Sequence, residues 1–217
     1  MFRAGADLSS LRRVELSWTS SRRAFAEAAQ WFVSTVAEVD DRWSEPGLGE
    51  WDVRSLVGHT SRSLLTVETY VSRPAETVEV DSTAGYFGAT RAIAAGPAVA
   101  ARGREAGEAL GTDPAAAVAA IAARVVPLVE ACDGSELVTT IVGGMRLSDY
   151  LPTRTFELVV HTADLASALG VPPDVPALPA MQALELVAQL AVGEGLAGPL
   201  LLAATGRHRL PGGFSVL

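Results

Sequence analysis

Apolar side chains recurring at steps of three and four residues restrict most strongly what this chain can become. Phe25, Ala28, Phe32, Val36 and Val39 keep that step from Ser20 to about Val39, which is the period of one helix face. A helix with a single apolar stripe is stable only against a partner, so several such stretches in one chain ask for a bundle. A second helix is expected from about Val53 to Val71, after a Pro- and Gly-containing loop at 44–49 and with Asp52 as its N-cap. A weaker, Gly-interrupted stretch covers about Tyr86 to Leu110. The next helix opens with Asp113 as N-cap and Pro114 in the first helical position, and runs to about Ala131.

Beyond it, Leu137 to Val142 reads as a short strand, and Gly143-Gly144 followed by Met145-Arg146-Leu147 as a tight hairpin. The helix that follows begins near Ser148 or Asp149, passes through Phe156, Val160 and Leu165, and stops at Gly170 with Pro172 just outside. Pro173, Pro176 and Pro179 form a linker, a helix runs from about Met181 to Val192, and the run Leu200 to Ala203 is taken as a strand. The expected fold is therefore mainly α. A helical bundle is expected over residues 1–170 with a short hairpin before its last helix, and 171–217 are expected to form a small α+β C-terminal appendage.

Composition narrows the function. The formal charge of −8 argues against a nucleic-acid partner, because phosphate binders draw their affinity from a basic face. All 17 basic residues are arginine, so Schiff-base chemistry and a phosphate-loop lysine are excluded. The single cysteine, Cys132, allows no disulfide within the chain and no cysteine zinc knuckle. It reads as a small buried residue at a helix end. No run approaches the roughly 18 apolar residues that a membrane span needs, so no membrane partner is expected and the cytoplasm is the expected compartment.

Only three histidines are present, and two of them sit inside helical patterns. His59 lies in the second helix. His161 lies in the long sixth stretch, four residues after Glu157, so that the two share a helix face one turn apart. An isolated pair of this kind is common on solvated helix faces. Here Phe156, Leu158, Val159 and Val160 surround it, and a charge drawn toward a buried face needs a partner. His59, Glu157 and His161 together make a two-imidazole, one-carboxylate set. Zinc accepts such a set at catalytic sites, with one position left open. Asp164, on the same face, is the candidate acceptor that fixes a histidine tautomer. His208, between Arg207 and Arg209, reads as an exposed turn residue outside the site.

The stretch Trp51-Asp52-Val53-Arg54-Ser55-Leu56-Val57-Gly58-His59 and the stretch Arg154-Thr155-Phe156-Glu157-Leu158-Val159-Val160-His161-Thr162-Ala163-Asp164-Leu165 together resemble the mycothiol-dependent maleylpyruvate isomerase family, within the DinB-like superfamily. The resemblance covers about Arg23 to Gly170. It implies a DinB-like four-helix bundle and a divalent metal, zinc being the expected ion, on His59, Glu157 and His161. It also implies mycothiol as thiol cosubstrate, its sulfur ionised by the metal so that no protein cysteine is needed. The partners implied are that thiol and a small electrophile, which an isomerase would release and an S-transferase would keep attached; a homodimer is left open. Carboxylates on these molecules call for arginine forks. The candidates are Arg154, equally readable as an ion-pair partner of Glu157, and, for the cofactor, Arg91. Two alternatives stand beside this reading: a noncatalytic binding or regulatory module, expected to show a closed site, and a metal-dependent hydrolase, expected to act without thiol.

Overall fold

The computed structural model describes residues 17–94 and 98–217. Eight helices are found among them: α1 (Trp18–Ala37), α2 (Val53–Val71), α3 (Thr83–Ala94), α4 (Ala98–Ala109), α5 (Pro114–Glu130), α6 (Leu147–Leu169), α7 (Ala177–Gly193) and α8 (Ala197–Ala204). A short 3-10 helix at Arg42–Ser44 and two small antiparallel hairpins complete the elements, β1 (Pro46–Leu48) with β2 (Trp51–Asp52) and β3 (Leu137–Thr140) with β4 (Gly143–Arg146). The chain is thus mainly helical, as its periodicity predicts.

Local signals set the helix ends. The Asp52 carboxylate accepts from the Ser55 amide at 2.7 Å, and that of Asp113 from the Ala116 amide at 3.0 Å, each satisfying one of the free donors of a first turn. Gly170, at φ 69°, ends α6, and the Val171 amide closes back on the Ala166 carbonyl. The stripe predicted on α1 is buried: Phe25, Ala28, Phe32 and Val36 are almost inaccessible to solvent. They face α5 and α6, while α2 packs against α4, α5 and α6. Leu56, Leu64, Tyr150, Leu151, Leu158 and Leu165 fill the centre.

Several expectations are corrected. The loop at 44–49 contains the β1 strand, paired to β2. The Gly-interrupted helical stretch expected from Tyr86 to Leu110 begins earlier, at Thr83, and comprises α3 and α4 on either side of residues 95–97, which lie outside the described residues. The strand at Leu137 stops at Thr140, and the turn falls on Ile141 and Val142. Gly144 serves a close approach instead, since a Cβ there would lie 2.0 Å from the Thr77 carbonyl oxygen. Helix α7 begins at Ala177, so Pro179 sits in its first turn, where a missing N–H costs nothing. The strand expected at Leu200–Ala203 is part of α8. Leu and Ala favour helix when no neighbouring strand offers a ladder, and the described sheets contain only their own two strands.

Helix α7 lies on α1 and α6. Ala183, Leu186, Leu190 and Ala191 join the main core, and the Gln182 amide donates to Ser21 Oγ at 3.0 Å. No single helix among the described residues is long and apolar enough to cross a membrane.

The seat of α4 on α2 depends on an absent side chain. A Cβ on Gly58 would meet the Gly107 backbone nitrogen at 2.1 Å, and backbone cannot rotate away as a side chain can. Gly58→Ala is therefore expected to cost about 1–3 kcal/mol, the usual range for overpacking. Urea unfolding of the two proteins measures it; equal midpoints would show that the helices separate freely.

Candidate metal centre

Bundle packing of α2 on α6 brings His59 to the face that carries Glu157 and His161. The coordinating atoms of the three side chains all lie within 4.8 Å of one another. His161 Nε2 is 3.3 Å from Glu157 Oε2, close to the roughly 3.4 Å that separates two ligands of one tetrahedral zinc. The His59 and His161 rings meet edge to face with centroids 4.8 Å apart. On its far side His161 Nδ1 lies 3.0 Å from Asp164 Oδ2, so this carboxylate holds a proton on Nδ1 and leaves Nε2 for an ion.

The electrostatics of the three groups differ. Burial pushes the His59 imidazole down to about 4, with the neighbouring His161 adding to the effect. Burial works in the same direction on His161, but its hydrogen bonds to Asp164 and Glu157 prevail and carry it up to about 9. For Glu157, burial favours the neutral acid, yet the His161 hydrogen bond and the Arg154 charge hold it down at about 2. The metal-free site is thus a neutral imidazole, a carboxylate and an imidazolium.

The donor set fits a divalent metal on two further observations. His59 Nδ1 is buried without a hydrogen-bond partner, a costly condition for a polar atom that an ion or a water relieves. No fourth His, Cys, Asp or Glu joins the group among the described residues, which leaves coordination open. The side chains of His161 and Glu157 remain 16 % and 22 % exposed, so the described residues do not seal the group completely from solvent.

Arg154, one turn before Glu157, forms no ion pair among the described residues. Its guanidinium carbon lies 5.1 Å from the ring centroid of Tyr86 and 5.1 Å from that of Tyr150, and its Nε donates to Thr153 Oγ1 at 2.9 Å. Tyr70 packs on Tyr150 at 5.3 Å, so all three tyrosines of the chain gather beside this one cation. The charge is held by ring faces, and among the described residues no carboxylate pairs with its terminal nitrogens. Of this cluster only Tyr150 had a sequence signal, its four-residue spacing from Arg154; Tyr70 and Tyr86 had none. Arg91 is engaged elsewhere, with Glu194 at 3.0 Å, both side chains about half exposed. Cys132 is a half-buried residue just past α5 whose thiol burial pushes up to about 11, so it is not ionised at neutral pH. His208 is exposed, as expected.

A helical bundle that brings a His–Glu–His group together on two facing helices belongs to the DinB-like class. The sequence model described as the mycothiol maleylpyruvate isomerase N-terminal domain matches residues 22–166, and the chain belongs to that family. No curated protein and no solved structure gives a significant match.

Proposed function

We propose that this protein is a metal- and thiol-dependent enzyme, either an S-transferase or an isomerase of the maleylpyruvate type, that joins mycothiol or a similar thiol to a small electrophile. The observation that carries the reading is the convergence of His59, Glu157 and His161 on one reachable point with no fourth protein ligand among the described residues. An ion held there, zinc by the nature of the donors, supplies the acidity that keeps a thiol ionised at neutral pH. The un-ionised Cys132 agrees with a nucleophile brought from outside the chain.

The remaining roles belong to side chains. Asp164 keeps the Nδ1 proton of His161 in place and so presents Nε2. Arg154, buttressed by Tyr86 and Tyr150, offers its terminal nitrogens to a carboxylate of the electrophile, a charge-assisted and geometrically selective contact. Arg91 becomes available to a carboxylated thiol when its exposed pair with Glu194 opens, which costs little. The open coordination speaks against the closed site of a noncatalytic module.

Zinc-loaded protein assayed with mycothiol and maleylpyruvate, and with mycothiol and a neutral alkylating electrophile, tests the proposal. Turnover is expected only with thiol present; hydrolysis without thiol would replace the reading by the hydrolytic one, and no turnover of either substrate would favour the noncatalytic module. Arg154→Met is expected to raise KM for the carboxylated substrate about tenfold, the worth of one charged hydrogen bond, and to leave KM for the neutral one within about twofold.

A further inference from the structure

Trp51 touches the site at His59. Its indole lies against the His59 imidazole with centroids 4.5 Å apart and planes inclined by 32°. The ring itself is held by α4: Trp51 Nε1–H donates to the Ala100 carbonyl at 3.0 Å. Gly103, one turn further along α4, leaves the space the indole occupies, since a Cβ there would lie 2.6 Å from Cε2 and Nε1 of Trp51.

The same short stretch of chain fastens α4 twice more. Arg54 Nε donates to the Gly107 carbonyl at 2.9 Å, and Gly58, the residue before His59, abuts the Gly107 backbone. Helix α4 therefore docks on the segment 51–58 that leads into one metal-site histidine, and through Trp51 it reaches the ring of that histidine.

We infer that Trp51 is a positioning residue for His59, and that docking of α4 and metal binding are thermodynamically coupled through the Trp51–His59 contact. This rests on the metal reading of His59, Glu157 and His161. With α4 docked, the indole is fixed at one edge by a hydrogen bond and at its face by Gly103. The imidazole is then confined to the orientation in which it shares a point with Glu157 and His161. With α4 displaced, the indole loses both restraints and the imidazole gains rotational freedom, which an ion must remove on binding. Coupling of two binding events is reciprocal. Whatever factor of affinity α4 docking adds for the ion, the ion returns to α4 docking.

Zinc affinity of the full chain, measured by competition with a chromophoric chelator, tests this in the wild type, Trp51→Phe, Gly103→Ala and the control Gly198→Ala, whose added Cβ meets no atom within 4 Å. Trp51→Phe removes the bond to Ala100 while keeping a ring against His59; Gly103→Ala displaces the indole without touching any metal-site residue. Each is expected to raise the zinc Kd about tenfold, the lower end of the effect of a group that orients a metal ligand, with Gly198→Ala unchanged. A purely structural role for Trp51 would lower stability and leave Kd alone.

Amide exchange along 101–109 in the wild type supplies a measurement that needs no variant: zinc is expected to slow it about tenfold. If the wild type takes up zinc but exchange in α4 is indifferent to it and both variants keep Kd within about twofold, the coupling is overturned while the metal reading stands. If the wild type takes up no zinc, the metal reading falls and the coupling with it.

Discussion

Metal content of about one ion per chain in the wild type is expected to drop to trace levels in His161→Ala. His161 stands between the other two ligands in the geometry of the site: its Nε2 faces Glu157 at 3.3 Å and its ring meets that of His59. Removing the imidazole leaves two donors on different helices, and two donors rarely retain zinc against a chelator. Loss of a partner that merely orients a ligand costs about 10–100-fold in metal affinity, so loss of a ligand is expected to exceed a hundredfold. Asp164→Asn, which keeps the ligand and alters its support, belongs between the two. His208→Ala removes an exposed histidine outside the site and is expected to change nothing. Elemental analysis of the four proteins after identical purification reads the series, and equal metal in the wild type and His161→Ala would remove the centre altogether.

Zinc affinity is also expected to climb about tenfold per pH unit from pH 6 to near 9, then level off. An ion can bind only deprotonated ligands, and the slope counts the protons it displaces. His161 is protonated in the metal-free site up to about pH 9, because its hydrogen bonds to Asp164 and Glu157 outweigh the burial that opposes its charge. His59, held down to about 4 mainly by burial, is already neutral, and Glu157 at about 2 is already ionised. One proton is therefore released across the range. Two unperturbed histidines would instead show no slope above about pH 7 and a slope of two well below their ordinary value. Titrations at pH 6, 7, 8 and 9, corrected for protonation of the competing chelator, distinguish the cases. Asp164→Asn is expected to flatten the curve near neutrality by removing the acceptor that His161 leans on.

The same three groups fix how the metal-free protein responds to pH. His161, raised from 6.5 to about 9, contributes stability that is full below pH 6.5 and lost as pH rises through 9. His59, lowered from 6.5 to about 4, contributes in the opposite sense: its share is full above pH 6.5 and lost as pH falls through 4. Glu157 adds a share lost only as pH falls through about 2. Thermal unfolding without metal is thus expected to be most favourable to the folded state near pH 6.5, and zinc moves that optimum upward by taking over the site from the His161 proton.

Much of the candidate site's grouping was legible before any fold was known. Glu157, His161 and Asp164 sit within two turns of one helix, and their common face follows from helix geometry alone. The meeting of His59 with that face does not follow from geometry of one helix; it took the resemblance of two separated motifs, and then the packing of α2 on α6, to bring the residues together. Arg154 carried two readings from its spacing, as a fork or as a partner of Glu157. Its position over Tyr86 and Tyr150 bears on that choice, and Tyr86 arrives from α3, which has no sequence link to α6. Trp51 belongs to a recognisable motif, but nothing local reveals that its ring lies on His59.

What the chain determined by itself is whatever lies within a turn or two: the stripe on α1, the caps at Asp52 and Asp113, the stop at Gly170, and the Glu–His spacing on α6. Those depend on backbone geometry and on bonds between near neighbours. Tertiary structure decided the rest. Leu200–Ala203 lies in a helix, and no strand among the described residues offers it a ladder. Helix α4 reached the neighbourhood of His59 because Gly58, Gly103 and Gly107 let backbones and an indole approach where any side chain would intrude. Such contacts join residues far apart in the chain, and burial of apolar surface summed over the whole bundle selects them.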